Sequence, residues 1–235
     1  MMQAVIVAGG MGLRLGDLTK DTPKGMIRIG GRPVLEHQIE LLKKYGFRDI
    51  IILTGYRSDV IERHFKDGGA FGVKIDYSVE EKPLGTAGGV KEIEDRLTGD
   101  FVVLYGDVMM NVDLKKVADF HKRKAGACTL VLHSNDHFHD SDLVEIDADK
   151  RVAAFHAKPH AEGKHYRNLV NAGVYILSVK ILEHIKKGVK ADFGKDVFPG
   201  IVGKEKMFGY VSAEYLKDMG TPRRLKEVEE DYLQP

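Results

Sequence analysis

The sequence predicts an α/β fold built around a mostly parallel sheet. Short apolar runs alternate with amphipathic stretches of helical period over about 130 residues. The chain opens on one such run, Gln3 to Ala8, which ends directly in Gly9-Gly10. A later run, DFVVLYGD, ends on Gly106 and Asp107 in the same way. In folds of this class ligands bind beyond the carboxyl ends of the strands, where these residues fall.

The elements follow in order. QAVIVA reads as a buried strand, and a glycine-rich polar segment continues to Lys24. Residues 34–45 carry apolar positions at helical spacing, with Gly46 as the stop. DIIILTG is a strand, SDVIERHF a helix, VKIDYSV a strand, and residues 86–96 a helix opened by Thr86. DFVVLYGD is a strand, LKKVADFHKRK a helix and ACTLVLH a strand. Beyond it, residues 134–142 read as a polar loop, and VEIDADKRVAAFH as a hairpin. VNAGVYIL and MFGYVSA read as strands, and VKILEHIKK as a helix. A charged helix from Thr221 to Tyr232, with Pro222 in its first turn, ends the series. The expectation is one domain over 1–235, with residues 1–132 and 133–235 taking different parts of the work.

The bulk composition narrows the function. Of the 235 residues, 43% are hydrophobic and 30% charged, and the net charge is +1. No general basic surface attracts nucleic acid, so an anion site has to come from local geometry. The N-terminus lacks the basic and apolar regions of a signal peptide, and no window reaches membrane-spanning length. A cytoplasmic protein with neither nucleic-acid nor membrane partners is expected. The single cysteine, Cys128, lies in an apolar run and reads as a small core residue.

The entry loop runs Gly9-Gly10-Met11-Gly12-Leu13-Arg14, followed by Thr22-Pro23-Lys24. It is neither a Walker loop nor a dinucleotide fingerprint, since no GK[ST] follows and Leu15 stands where the fingerprint needs glycine or alanine. Glycines after a buried strand still let the backbone approach a phosphate closely. Arg14 offers a bidentate grip and Lys24 a mobile point charge. Asp107 and Asp218 lie 111 positions apart. Two such carboxylates could hold one Mg2+ against a nucleoside triphosphate, whose phosphates supply further oxygens.

Five motifs occur in order: GGMGLRL with TPK, EEKPLGTAGG, LYGD, VNAGVY and KDMGTP. As a set they resemble the bacterial sugar-1-phosphate nucleotidyltransferase family over nearly the whole chain. The resemblance implies a Rossmann-like nucleotidyltransferase fold: a mostly parallel mixed sheet flanked by helices, with a small sugar-binding lobe. It implies that Ala8, Gly9, Gly10, Gly12, Glu80, Pro83, Gly85 and Thr86 bind nucleotide. Arg14 would bind the departing pyrophosphate and Lys24 the α-phosphate, while Asp107 and Asp218 hold Mg2+. Gly106, Lys158, Asn171 and Gly173 would bind the sugar phosphate. The sequence departs from the family at Gly25, where proline is usual, and at Ala157, where many members carry glutamate.

The implied reaction joins a nucleoside triphosphate to a sugar 1-phosphate. The attacking phosphate is already an anion, so positioning and charge neutralisation suffice. Glu80 suits guanine, because one carboxylate can accept from both the ring N1–H and the exocyclic amine. HDSDLVEID and KADFGKDVFP resemble heptose 1-phosphate guanylyltransferases of the family. GTP with D-glycero-D-manno-heptose 1-phosphate is therefore the expected pair. Mannose 1-phosphate, or a uridylyl or thymidylyl transfer to another hexose, is the alternative. A non-catalytic nucleotide-sugar sensor would lack a metal carboxylate or the pyrophosphate cation, yet Arg14, Lys24, Asp107 and Asp218 are all present. The oligomeric state, homodimer included, is left open.

Overall fold

The computed structural model describes residues 2–161 and 163–233. It shows a mixed, mostly parallel β-sheet architecture flanked by helices. The strands are β1 (Gln3–Val7), β2 (Arg28–Ile29), β3 (Arg32–Pro33), β4 (Asp49–Thr54), β5 (Lys74–Val79), β6 (Asp100–Tyr105) and β7 (Val108–Met110). They continue with β8 (Cys128–His133), β9 (Leu143–Ile146), β10 (Val152–His156), β11 (Val170–Ser178), β12 (Met207–Val211) and β13 (Leu216–Asp218). The α-helices are α1 (Val34–Lys44), α2 (Ser58–Phe65), α3 (Gly85–Glu92), α4 (Leu114–Lys124), α5 (Phe198–Ile201) and α6 (Pro222–Leu233).

The chain forms two compact units that interleave in sequence. The first comprises Met1–Pro83, Leu104–Val112 and Glu214–Pro235; the second comprises Leu84–Val103 and Asp113–Ala213. The division anticipated at residue 132 falls inside β8 of the second unit. The chain leaves the first unit after Pro83 and rejoins it twice.

In the first unit β1, β4 and β5 run parallel in that order. On the other side of β1 lies the carboxyl end of β6, where Gly106 N–H donates to the Val7 carbonyl at 2.9 Å. The strand order therefore reverses at β1, the kind of point where α/β sheets bind ligands. Ala4, Val5 and Ile6 are fully buried, as are Ile50 and Ile52, which is why these strands read as unbroken apolar runs. Helix α1 buries Val34, Leu35, Gln38, Ile39, Leu41 and Leu42, one face at helical spacing. It stops just before Gly46, whose φ is +87°. Leu225 and Val228 of α6 pack with Leu15, Ile29, Val34, Met109 and Met219.

In the second unit β11 pairs antiparallel with β8 and β9, β9 with β10, and β12 lies parallel to β8. Asp113 caps α4 by accepting from Lys116 N–H at 3.0 Å. Phe193 and Phe198 are fully buried and stack at 5.3 Å beside Tyr175. Cys128 is fully buried, and burial pushes its thiol pKa far up.

One expected helix is absent. Residues 179–187 form only a 3-10 turn, Val179–His184, and Ile185 then runs extended (φ −117°, ψ 129°). Ile181, Leu182 and Ile185 all find burial in that path. The helix expected over 86–96 is divided into α3 and a 3-10 turn, Glu94–Arg96. Among the described residues no helix is long and apolar enough to cross a membrane.

Candidate nucleotide and metal site

The first unit gathers its chemistry at the carboxyl ends of β1, β4, β5 and β6. Beyond β1 the glycine loop folds back on itself. Gly12 has φ +66°, and Thr19 Oγ1 donates to its carbonyl at 3.1 Å. A Cβ at Gly12 would stand 2.9 Å from the Thr19 methyl, so glycine is what lets Thr19 close over the loop. A Cβ at Gly10 would meet nothing within 4 Å, leaving open space above the loop. Gly106 approaches Ala8, whose Cβ lies 3.1 Å from the position a Gly106 Cβ would take.

Glu80 follows β5, and its N–H donates to the Thr54 carbonyl at 2.8 Å. Its carboxylate turns toward the glycine loop: a Cβ on Gly9 would lie 3.3 Å from Glu80 Oε2. Pro83, at the end of this stretch, is exposed.

The two aspartates meet through a pair of strands that periodicity does not reveal. β13 pairs antiparallel with β7, placing Asp218 opposite Val108, the residue after Asp107. Met219 N–H donates to the Asp107 carbonyl at 3.0 Å. Lys24 Nζ donates to Asp107 Oδ2. Asp218 accepts from Gly220 N–H at 2.7 Å and from Arg224 Nη1 at 3.0 and 3.2 Å. Burial works to raise the Asp218 pKa, but Arg224, the Gly220 N–H and Lys24 together outweigh it, and the net shift is downward. Arg14 joins the group, with Nη2 3.0 Å from where a Gly220 Cβ would be. Three cations, Arg14, Lys24 and Arg224, thus surround two carboxylates. Among the described residues no cluster of three or more His, Cys, Asp or Glu side chains exists to hold a metal. The two hard-oxygen carboxylates suit Mg2+ only as a site that polyphosphate oxygens complete.

Arg224 was not anticipated from sequence. Its signal was available: it lies two residues beyond the KDMGTP motif and six beyond Asp218.

In the second unit Gly85 has φ +74°, and a Cβ there would stand 2.6 Å from the Ala191 carbonyl. Thr86 N–H and Oγ1 both donate to Asp192 Oδ1, at 3.0 and 3.2 Å, and Thr86 Oγ1 accepts from Phe193 N–H at 3.0 Å. Ala87 and Gly88 donate to the Ala191 carbonyl. The first amides of α3 are therefore satisfied by the segment before Phe193. Lys158 Nζ donates to the Asp140 carbonyl at 2.8 Å, and its backbone N–H to Asp142 Oδ1 at 3.2 Å.

The β11–β8 register shifts between Asn171 and Tyr175, and Gly173 between them has φ +71°. The bulge lets Asn171 Nδ2 donate to Tyr175 Oη at 2.9 Å. Asn171 Oδ1 is buried and has no hydrogen-bond partner. A buried acceptor left unpaired is destabilising until a donor reaches it, so this atom suits a polar ligand.

The Nucleotidyl transferase family model matches residues 3–235. The chain belongs to that family. A mannose-1-phosphate guanylyltransferase of Mycobacterium tuberculosis is 35% identical over 94% of this chain, which spans 62% of that relative's length. A D-glycero-alpha-D-manno-heptose 1-phosphate guanylyltransferase of Aneurinibacillus thermoaerophilus is 33% identical, over 98% of each. Among solved structures, HddC from Yersinia pseudotuberculosis superposes with a TM-score of 0.84 at 29% identity, covering 99% of this chain and 100% of that one. A mostly parallel sheet with glycine turns at its carboxyl edge is thus the family's fold in this chain.

Proposed function

We propose that the chain transfers a nucleotidyl group from GTP to D-glycero-D-manno-heptose 1-phosphate and releases pyrophosphate. The observation that carries this reading is the assembly of Arg14, Lys24, Asp107, Asp218 and Arg224 beside the glycine loop of the first unit. Its surplus of positive charge suits a polyphosphate.

A sugar-phosphate oxygen attacks the α-phosphorus in line, the bond from the α-phosphorus to the bridging oxygen breaks, and that oxygen leaves with pyrophosphate. No side-chain nucleophile or general base is required. Lys24 neutralises charge growing on the α-phosphate, and Arg14 receives charge on the departing pyrophosphate. A divalent cation is the family's usual cofactor; Mg2+ held by Asp107 and Asp218 would add charge neutralisation across the phosphates. Ala8, Gly9, Gly10 and Gly12 supply close backbone approach. Glu80, with Pro83 after it, addresses the base, and its carboxylate beside Gly9 supports guanine because it accepts from two adjacent donors. Gly85 and Thr86 hold the start of α3, and Gly106 holds the Asp107 turn. Lys158 offers charge to the sugar phosphate, and Asn171 Oδ1, re-aimed by Gly173, offers a buried acceptor to a sugar hydroxyl.

The heptose is supported by the segments HDSDLVEID and KADFGKDVFP, which resemble heptose 1-phosphate guanylyltransferases, and by the 33% identity to the heptose-acting relative. The test is pyrophosphate release with Mg2+ across four nucleoside triphosphates and the heptose, mannose and glucose 1-phosphates. Preference for GTP with the heptose supports the reading. GTP with mannose overturns its sugar half, UTP or dTTP overturns its base half, and silence throughout overturns the pair in favour of another sugar 1-phosphate or a nucleotide-sugar sensor.

A further inference from the structure

We infer that Gln38 is a positioning residue for Asp107. The inference rests on the reading of Asp107 as a metal-holding carboxylate. Gln38 lies on α1 and is 1% exposed. Its Nε2 donates to the Tyr105 carbonyl at 2.9 Å and to the Val108 carbonyl at 2.7 Å. These two carbonyls bracket Gly106 and Asp107, so one amide clamps both ends of the turn that presents the carboxylate. The orientation of the amide follows from chemistry, because only its NH2 end can face two carbonyl oxygens.

The other end of the side chain shows that packing alone does not account for the residue. Gln38 Oε1 is buried without a hydrogen-bond partner, a desolvation loss that methionine or leucine would not incur. What glutamine adds is two donors at fixed spacing.

The rest of the turn is held from other directions. Gly106 N–H bonds Val7, the Asp107 carbonyl accepts from Met219, and the Asp107 carboxylate meets Lys24. Leu35, one helical turn before Gln38, comes within 3.1 Å of a Cβ position on Gly106. Helix α1 therefore sets the depth of the turn through Leu35 and its tilt through Gln38. Groups that orient a metal ligand without touching the metal commonly govern its affinity.

The test compares nucleotide affinity with and without metal. Mn2+ with GTP is titrated into the protein and the ternary complex is read by water-proton relaxation. Metal-free GTP is titrated in EDTA by calorimetry. Gln38→Met is expected to weaken binding of the metal complex roughly 10-fold and to leave metal-free binding unchanged. Leu42→Ala, a fully buried position on the same helix, should lower the melting temperature and keep the metal dependence. Wild-type metal dependence in Gln38→Met, or equal loss in Leu42→Ala, overturns the positioning role. Asp107→Asn separates the two claims. If it alone loses the metal increment, the catalytic reading survives and the inference fails; if it keeps the increment, both fail. Should Gln38→Met not fold, Gln38→Asn, whose amide reaches one methylene less, is read in the same way.

Discussion

A single guanidinium nitrogen of Arg224 serves both oxygens of Asp218, at 3.0 Å from Oδ1 and 3.2 Å from Oδ2. The ion pair keeps a half-buried carboxylate charged where burial alone would raise its pKa.

Removing that partner should therefore show in the pH profile. Arg224→Met removes the strongest of the groups that offset burial, so Asp218 takes up a proton at higher pH than in the wild type. The acidic limb of kcat/KM is expected to move upward in pH, with roughly a 10- to 100-fold fall on the plateau. Arg224→Lys keeps a charge and should retain the wild-type limb. Profiles that superpose for all three would separate Arg224 from the site.

Lys24 makes a different kind of prediction. Its role is assigned to charge that grows during transfer, so Lys24→Met should lower kcat by about 10²- to 10³-fold and change nucleotide affinity far less. Steady-state kinetics alongside direct binding of GTP distinguishes this from a loss of binding alone.

Gly25 stands where the family usually has proline, and packing explains the glycine. A Cβ would lie 2.7 Å from Leu35 Cγ and 2.8 Å from the Gly106 carbonyl. Gly25→Ala should destabilise the protein by about 1–3 kcal/mol through overpacking. Urea unfolding measures it, and an unchanged midpoint would mean that the Gly106 turn yields without strain.

His121 predicts a pH dependence of stability. It is 1% exposed, with Nδ1 2.8 Å from Thr129 Oγ1 and Nε2 3.4 Å from Asp100 Oδ2. Burial lowers its pKa, and the nearby Asp100 offsets this only in part. The folded pKa thus lies below the unfolded value of about 6.5. Below that pH the unfolded chain binds the proton first. The stabilisation is whole above it and is lost as pH falls through the folded pKa. Unfolding free energy should drop between pH 7.5 and 5.5 in the wild type by more than in His121→Gln.

Much of the fold was legible because its elements are long and periodic. The buried runs of β1 and β4 and the one-sided helices α1, α2 and α4 carry their own patterns. The glycine loop was legible because a strand ending in glycines has few uses. What joins Asp107 to Asp218 was not, since β7 and β13 have three residues each and no period can emerge from three. Gln38 was hidden by its helix, where it looks like a polar residue in an amphipathic pattern. Residues 179–187 carry helical spacing yet form only a turn, because isoleucines and leucine so spaced serve equally well in an extended path that buries them.

The interleaving of the two units also orders events in time. During synthesis the glycine loop emerges early, but Asp218 and Arg224 lie within the last stretch of the first unit. A nascent chain that has completed α4 holds every strand of the parallel β1–β4–β5 set and still lacks one carboxylate of the pair. Until Leu216–Asp218 pairs with β7, the glycine loop and Asp107 stand without Asp218 and Arg224. The first unit closes only after residues 214–233 have emerged, and the contacts that close it join residues far apart in sequence, hence slow to form.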